Sequence, residues 1–176
     1  DGKVVVGENE AKDGTGGTNA VLTIPAGTKI IGKETPTSGV TSYLVVTRGS
    51  RLEATGTATQ PIVFTSEQDH LRGRTSPVAL NETETGEWGG IVVNGLATIN
   101  KGTDCELAAN VCEREGEGDS GLYGGDDDTD NSGTFSYMQV RYAGYAFTAD
   151  NELNGIAFQG VGSGTTIQYV HVHNGA

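Results

Sequence analysis

The chain has 176 residues, enough for one domain with a substantial core, and its 28 glycines are about twice the usual share of ~7 %. Eleven basic against 23 acidic residues give a formal charge of −12, a surface that repels phosphate backbones and argues against nucleic acid as a partner. No apolar run approaches the ~18 residues of a membrane span, and no segment shows convincing helical periodicity.

In chain order, residues 1–19 read as an N-terminal strand and cap segment, with one short strand, "KVVV" at 3–6, followed by a Gly/Asp stretch. Residues 20–176 read as one repetitive domain. Its first repeat sets "LTIPAGTKIIGK" (22–33) above "LVVTRGSRLEAT" (44–55) at a constant offset of 22, with Leu22 on Leu44, Ile24 on Val46 and Gly27 on Gly49. Residues 67–86 interrupt the pattern as a polar insertion. A second match then joins "EWGGIVVNGL" (87–96) to "ELNGIAFQGV" (152–161), 65 residues on, so that Ile91 meets Ile156. Trp88, the only tryptophan, is expected to pack over a coil of the repeat or against the long insertion at 101–132.

Residues 101–132 form the longest insertion and hold both cysteines and a run of aspartates. Cys105 and Cys112 lie close in a polar segment with no histidine nearby, which favours a small disulfide loop over a zinc site and predicts an oxidising compartment. The aspartates Asp126, Asp128 and Asp130 resemble the first half of an EF-hand loop. Asn131 replaces the glycine of the turn and Tyr137 stands where the bidentate glutamate belongs. Two readings stand side by side: Ca²⁺ held by Asp126, Asp128, Asp130 and Asn131, or a solvated turn in which Asp130, Asn131 and Ser132 cap backbone amides.

The last section, 133–176, carries a third match, "FSYMQVR" (135–141) with "IQYVHVH" (167–173), at an offset of 32. Alternation within it places Met138 and Val140, and Val170 and Val172, on an inward face. The outward face then carries Tyr137, Gln139 and Arg141 on one strand, and Tyr169, His171 and His173 on the next. Stacked rows of aromatic and polar groups can hold a long sugar chain, since ring faces accept sugar C–H groups; the competing reading is an ordinary solvent face.

Short strands, glycine corners and repeats of this kind predict an all-β fold, a right-handed parallel β-helix of about 22 residues per coil with long loop insertions at 67–86 and 101–132. Under that register Ile24 and Val46 stack one coil apart. A β-sandwich also has short strands and glycine turns, but does not explain an offset kept over twelve residues.

The segments "PAGTKIIG", "RGSRLEATGTATQPIVFTS", "GEWGGIVVNG", "GGDDDTDNSGTFSYMQVRYAG" and "LNGIAFQGVGSGTTIQYVHVHNGA" resemble a family of secreted or cell-surface right-handed β-helix repeat proteins of Gram-negative bacteria, many of them lipoproteins. The resemblance covers most of residues 20–176 and implies fold and location more than activity. The chain shows no Ser/His/Asp triad signature, nucleophile elbow or phosphate loop. The favoured reading is therefore an extracellular structural or binding module, for glycans or for adhesion. The competing one is a calcium-dependent polysaccharide lyase, with Arg72 or Arg141 beside the aspartates, or a glycoside hydrolase. The strand 167–173 has no polar cap after it. This predicts either further coils of a longer chain or self-association head to tail into a filament, with "KVVV" at 3–6 as the pairing edge.

Overall fold

The computed structural model describes residues 2–35, 40–75, 84–100 and 111–176. The chain is mostly β-strand. Its strands are β1 (Lys3–Val6), β2 (Val21–Ile24), β3 (Lys29–Gly32), β4 (Glu34–Thr35), β5 (Val40–Thr41), β6 (Tyr43–Val46), β7 (Arg51–Thr55) and β8 (Ile62–Ser66). A helix, α1 (Glu67–Thr75), follows. Then come β9 (Gly90–Asn94), β10 (Arg114–Glu115), β11 (Leu122–Tyr123), β12 (Gly133–Arg141), β13 (Tyr145–Thr148), β14 (Asn151–Leu153), β15 (Ile156–Gln159) and β16 (Thr166–His173).

Two parallel sheets form the spine. The first has the order β1-β6-β9-β15. The second has the order β2-β7-β12-β8-β3, with β16 also pairing β12. The long β12 joins the two halves of the second sheet, pairing β7 through Gly133–Ser136 and β8 through Met138–Val140. The chain therefore visits the sheets in turn, from β1 to β2 and β3, β6 to β7 and β8, β9 to β12, and β15 to β16. Each pass lays its strands beside those of the pass before. The core between the sheets gathers Val46, Leu52, Ala54, Ile62, Phe64, Ile91, Val93, Phe135, Met138 and Val140.

Two of the three sequence repeats correspond to true strand pairs. Ile91 lies opposite Ile156 in β9 and β15, and Phe135 opposite Ile167, Met138 opposite Val170 and Arg141 opposite His173 in β12 and β16. The 22-residue match does not. Leu22 pairs with Leu52, and Ile24 with Ala54, while Val46 lies between Val6 and Val93 in the other sheet. Ile24 and Val46 share the core but are not stacked in one sheet.

What recurs at an offset of 22 is a corner. Gly27 (φ 76°) and Gly49 (φ 77°) each occupy a left-handed position in the turn between two strands, closed by Thr28 N–H to Pro25 O at 3.2 Å and Ser50 N–H to Thr47 O at 3.0 Å. The match paired the corner between β2 and β3 with that between β6 and β7. Nor is the coil length constant. On the first sheet Lys3 pairs with Tyr43, Tyr43 with Gly90 and Ile91 with Ile156, spacings of 40, 47 and 65 residues.

Lys3–Val6 is the short N-terminal strand, paired in parallel with β6 at the edge of the first sheet. The helix α1 has no apolar stripe, which is why periodicity missed it. Its signal is the capping pattern Ser66-Glu67-Gln68-Asp69: the Asp69 N–H donates to Ser66 Oγ at 2.9 Å. Trp88 is buried in the core with its indole stacked where a Gly32 side chain would sit, and its Nε1–H donates to Arg141 O at 2.8 Å. The outer side of the first sheet is covered as well, where Tyr43, Val45, Val92 and Leu153 form a second small cluster. Tyr43 also donates from its hydroxyl to Gly118 O, in the turn between β10 and β11, at 2.8 Å.

Candidate functional site

The outward row predicted from alternation is assembled by the register of β12 and β16. Gln139 lies opposite His171 and Arg141 opposite His173. Between them and the start of the strands sit Tyr137 and Tyr169, at φ 49° and 54°. Both are in the left-handed region that non-glycine residues rarely occupy, where the second sheet bends. Their rings stack with centroids 4.4 Å apart and planes 18° from parallel, and Tyr169 is 66 % exposed. Arg141 turns along its own strand to donate from Nε to Gln139 Oε1 at 3.0 Å, and the His171 and His173 rings lie 5.9 Å apart.

This family of repeats is recognisable as a whole. A model of the pectate-lyase-like β-helix domain matches residues 15–176. The chain belongs to that β-helix family. No curated protein and no solved structure matches it.

The β-helix row ends in a charged cluster that sequence reasoning did not assemble. Arg72 on α1 donates to both oxygens of Glu87, at 2.6 and 3.0 Å, and also to Glu84. Ser66 donates its hydroxyl to Glu87 as well. The Arg72 guanidinium stands 4.9 Å over the ring of Tyr142, which also meets the ring of His173 edge-on at 5.8 Å. Arg141 approaches Asp69 of α1 at 4.0 Å. The hydrogen bonds that Arg72 donates to Glu87 raise the Arg72 pKa above its ordinary value. Burial alone would raise the Glu87 carboxyl, but the bonds from Arg72 and Ser66 outweigh it and hold Glu87 below the usual range. Burial pushes the Tyr142 phenol up. No sequence pattern links Arg72 to Glu87 across the insertion; only the docking of α1 brings them together.

The aspartate loop lies at the other end of β12 from Arg141. Asp128 Oδ1 accepts from Thr98 N–H at 2.9 Å and Thr98 Oγ1 at 2.6 Å, bonds that hold its carboxyl below the usual range. Asp127 accepts from Thr129 N–H at 2.9 Å, Asp130 from Ser132 Oγ at 2.8 Å, and Asn131 from Gly133 N–H at 2.9 Å. Asp126 is exposed. Among the described residues no three of His, Cys, Asp and Glu gather in a group able to hold a metal. Arg72 and Arg141, the cations of the lyase reading, face Glu84, Glu87 and Asp69 instead of these aspartates. Cys112 is buried, and its expected partner Cys105 lies outside the described residues.

Proposed function

We propose that this chain is an extracellular glycan-binding module on a right-handed β-helix, the hand that connections between parallel strands of one sheet almost always take. The observation that carries the reading is the pair of stacked tyrosines at left-handed corners. At the ends of the same strands the left-handed positions are held by Gly133 at 116° and Asn174 at 50°, and by Tyr142 at 54°, which unlike Tyr169 is fully buried. A tyrosine there costs about 1–2 kcal/mol of backbone strain, so turn geometry alone would select glycine or asparagine. What Tyr137 and Tyr169 add is ring surface, with Gln139, Arg141, His171 and His173 beside it as hydrogen-bonding groups at the spacing of adjacent strands, ~4.8 Å. Membership of a pectate-lyase-like β-helix family is compatible with a polysaccharide ligand.

The test is binding of defined polysaccharides, neutral and acidic, by calorimetry, to the wild-type chain and to Tyr169→Ala. The reading expects saturable binding that Tyr169→Ala weakens by tenfold or more, the size of one lost base- or sugar-stacking platform of ~1–3 kcal/mol. Equal affinity of the two proteins would overturn it. Product analysis of the same mixtures addresses the enzymatic alternative: chain shortening would reassign the module as a lyase or hydrolase.

A further inference from the structure

Between the outer side of β1 and β6 and the β10–β11 hairpin lies a cavity of about 440 Å³. It belongs to the first sheet, whereas the tyrosine row belongs to the second. Alternation makes its floor. Val4 and Val6 pair with Leu44 and Val46, which point into the core, so their neighbours Val5 and Val45, also register partners, point to this outer side. Leu122 of β11 adds a third aliphatic side chain from the hairpin. Val45 is buried under the hairpin, but Val5 remains 45 % exposed, so the cavity is open along β1.

The walls are charged, and unequally. Three carboxylates, Glu8, Glu115 and Asp119, face one ammonium, Lys3. Each carboxylate is anchored through one oxygen. Glu8 Oε2 accepts from Thr18 Oγ1 at 2.7 Å, Glu115 Oε1 from Gly121 N–H at 2.9 Å, and Asp119 Oδ2 from Lys3 Nζ at 2.9 Å. The other oxygen of each accepts no hydrogen bond from the described residues. Lys3 also donates to Asp119 O at 2.9 Å, so the ammonium of the lining is already committed to one carboxylate. Arg48, next to Thr47 of the lining, is matched by Glu113 at 2.9 Å. Glu8 and Glu115 are left without a counter-charge in the cavity.

We propose that this cavity binds an organic cation, a protonated amine carried on a short aliphatic or sugar body. Its size falls within the range of about 300–1,000 Å³ usual for small-molecule sites. The valine and leucine floor takes the C–H groups of such a ligand, and the spare oxygens of Glu8 and Glu115 accept its N–H donors as charge-assisted bonds. The chain's charge of −12 draws cations to the mouth. The same walls repel anions, and an aliphatic floor offers nothing to a bare metal ion, which takes oxygen ligands on all sides.

Calorimetry at low ionic strength tests this, with spermidine and glucosamine as the amines and butanediol and N-acetylglucosamine as uncharged counterparts. At least one amine should bind saturably and neither uncharged compound should. Tighter binding of spermidine assigns the site to aliphatic amines, and tighter binding of glucosamine to amino sugars. Glu8→Gln and Glu115→Gln each keep an oxygen for the anchoring bond, and each should weaken the amine about three- to fivefold, the upper scale of an exposed ion pair. Lys3→Gln frees Asp119 and should tighten the amine by a similar factor. Glu53→Gln, in β7 of the second sheet, removes the same charge outside the cavity and should leave the affinity unchanged. Glu8 and Glu115 are exposed, so their variants should fold, which circular dichroism checks. Absence of amine binding, equal binding of the uncharged compounds, or equal losses from Glu53→Gln and Glu115→Gln would each overturn the proposal.

Discussion

Strands β9 and β16 both direct valine or isoleucine side chains inward, yet every residue of β9 is buried and none of β16 is. The difference is coverage. β9 has β6 on one side and β15 on the other, with a core beneath and the small Tyr43–Leu153 cluster above. β16 has β12 on one side only, so its inward Val172 stays 44 % exposed. Among the described residues, β1 at the other end is in the same position, with Val4 at 52 %. In a solenoid each coil is stabilised by its neighbours, so an inward apolar residue has different energetic weight in the middle and at the ends.

The largest test of that difference compares two inward truncations. Phe135→Ala removes a ring that is fully buried and meets Phe158 edge-on at 4.9 Å. It should destabilise the chain by about 3–5 kcal/mol in urea unfolding. Val172→Ala on the outer coil should lose only about 1 kcal/mol or less. Comparable losses at the two positions would show that the outer coil is covered in solution.

Next in size is the Arg72–Glu87 pair, which ties α1 to the spine. Glu87→Gln should destabilise by about 1–3 kcal/mol at neutral pH, through the loss of charge-assisted bonds to Arg72. Although burial opposes it, the bonds from Arg72 and Ser66 hold the folded carboxyl below the ordinary glutamate range. Its contribution is therefore present above the unfolded pKa and is lost as pH falls through the lower folded value. Wild-type and Glu87→Gln stabilities should converge on acidification; a gap that persists in acid would show that packing, not charge, holds α1.

Glycines in the two environments give a smaller contrast. A Cβ on Gly32 would meet the Trp88 ring at 2.6 Å, so Gly32→Ala should lose about 1–3 kcal/mol and shift the tryptophan emission. Gly73, in α1, has nothing within 4 Å of its would-be Cβ, and Gly73→Ala should gain about 0.5–1 kcal/mol in the same melts. The smallest effect is at the exposed corner. Tyr169→Asn relieves a left-handed tyrosine while losing its stack on Tyr137. These terms nearly cancel, so stability should change by less than ~1 kcal/mol. Polysaccharide binding should fall nonetheless. A large loss of stability would make the stacked pair a structural element instead of a binding one.

How far the sequence carried depended on which strands touch. The pairs β12–β16 and β9–β15 were legible because both members keep the same inward residues: Met138 with Val170, and Ile91 with Ile156. The outward row from Tyr137 to His173 followed from that register. The pairing of β2 with β7 was not legible, because Leu22 and Ile24 resemble Leu44 and Val46 at least as well as their true neighbours Leu52 and Ala54. The corner Gly27 and its counterpart Gly49 strengthened the false match.

What the sequence by itself determined are the strands, the left-handed glycine corners and the inward faces, since alternation and turn preference are local properties of the chain. Tertiary structure alone decided the pairing of β2 with β7, how many residues separate successive coils, and where the insertions fold back. Those depend on loops of unequal length whose closure varies little in entropy with each added residue, so strand order is left to packing against partners distant in sequence. The same reason hid the Arg72–Glu87–Tyr142 cluster, which joins an insertion to the spine where no local pattern connects them.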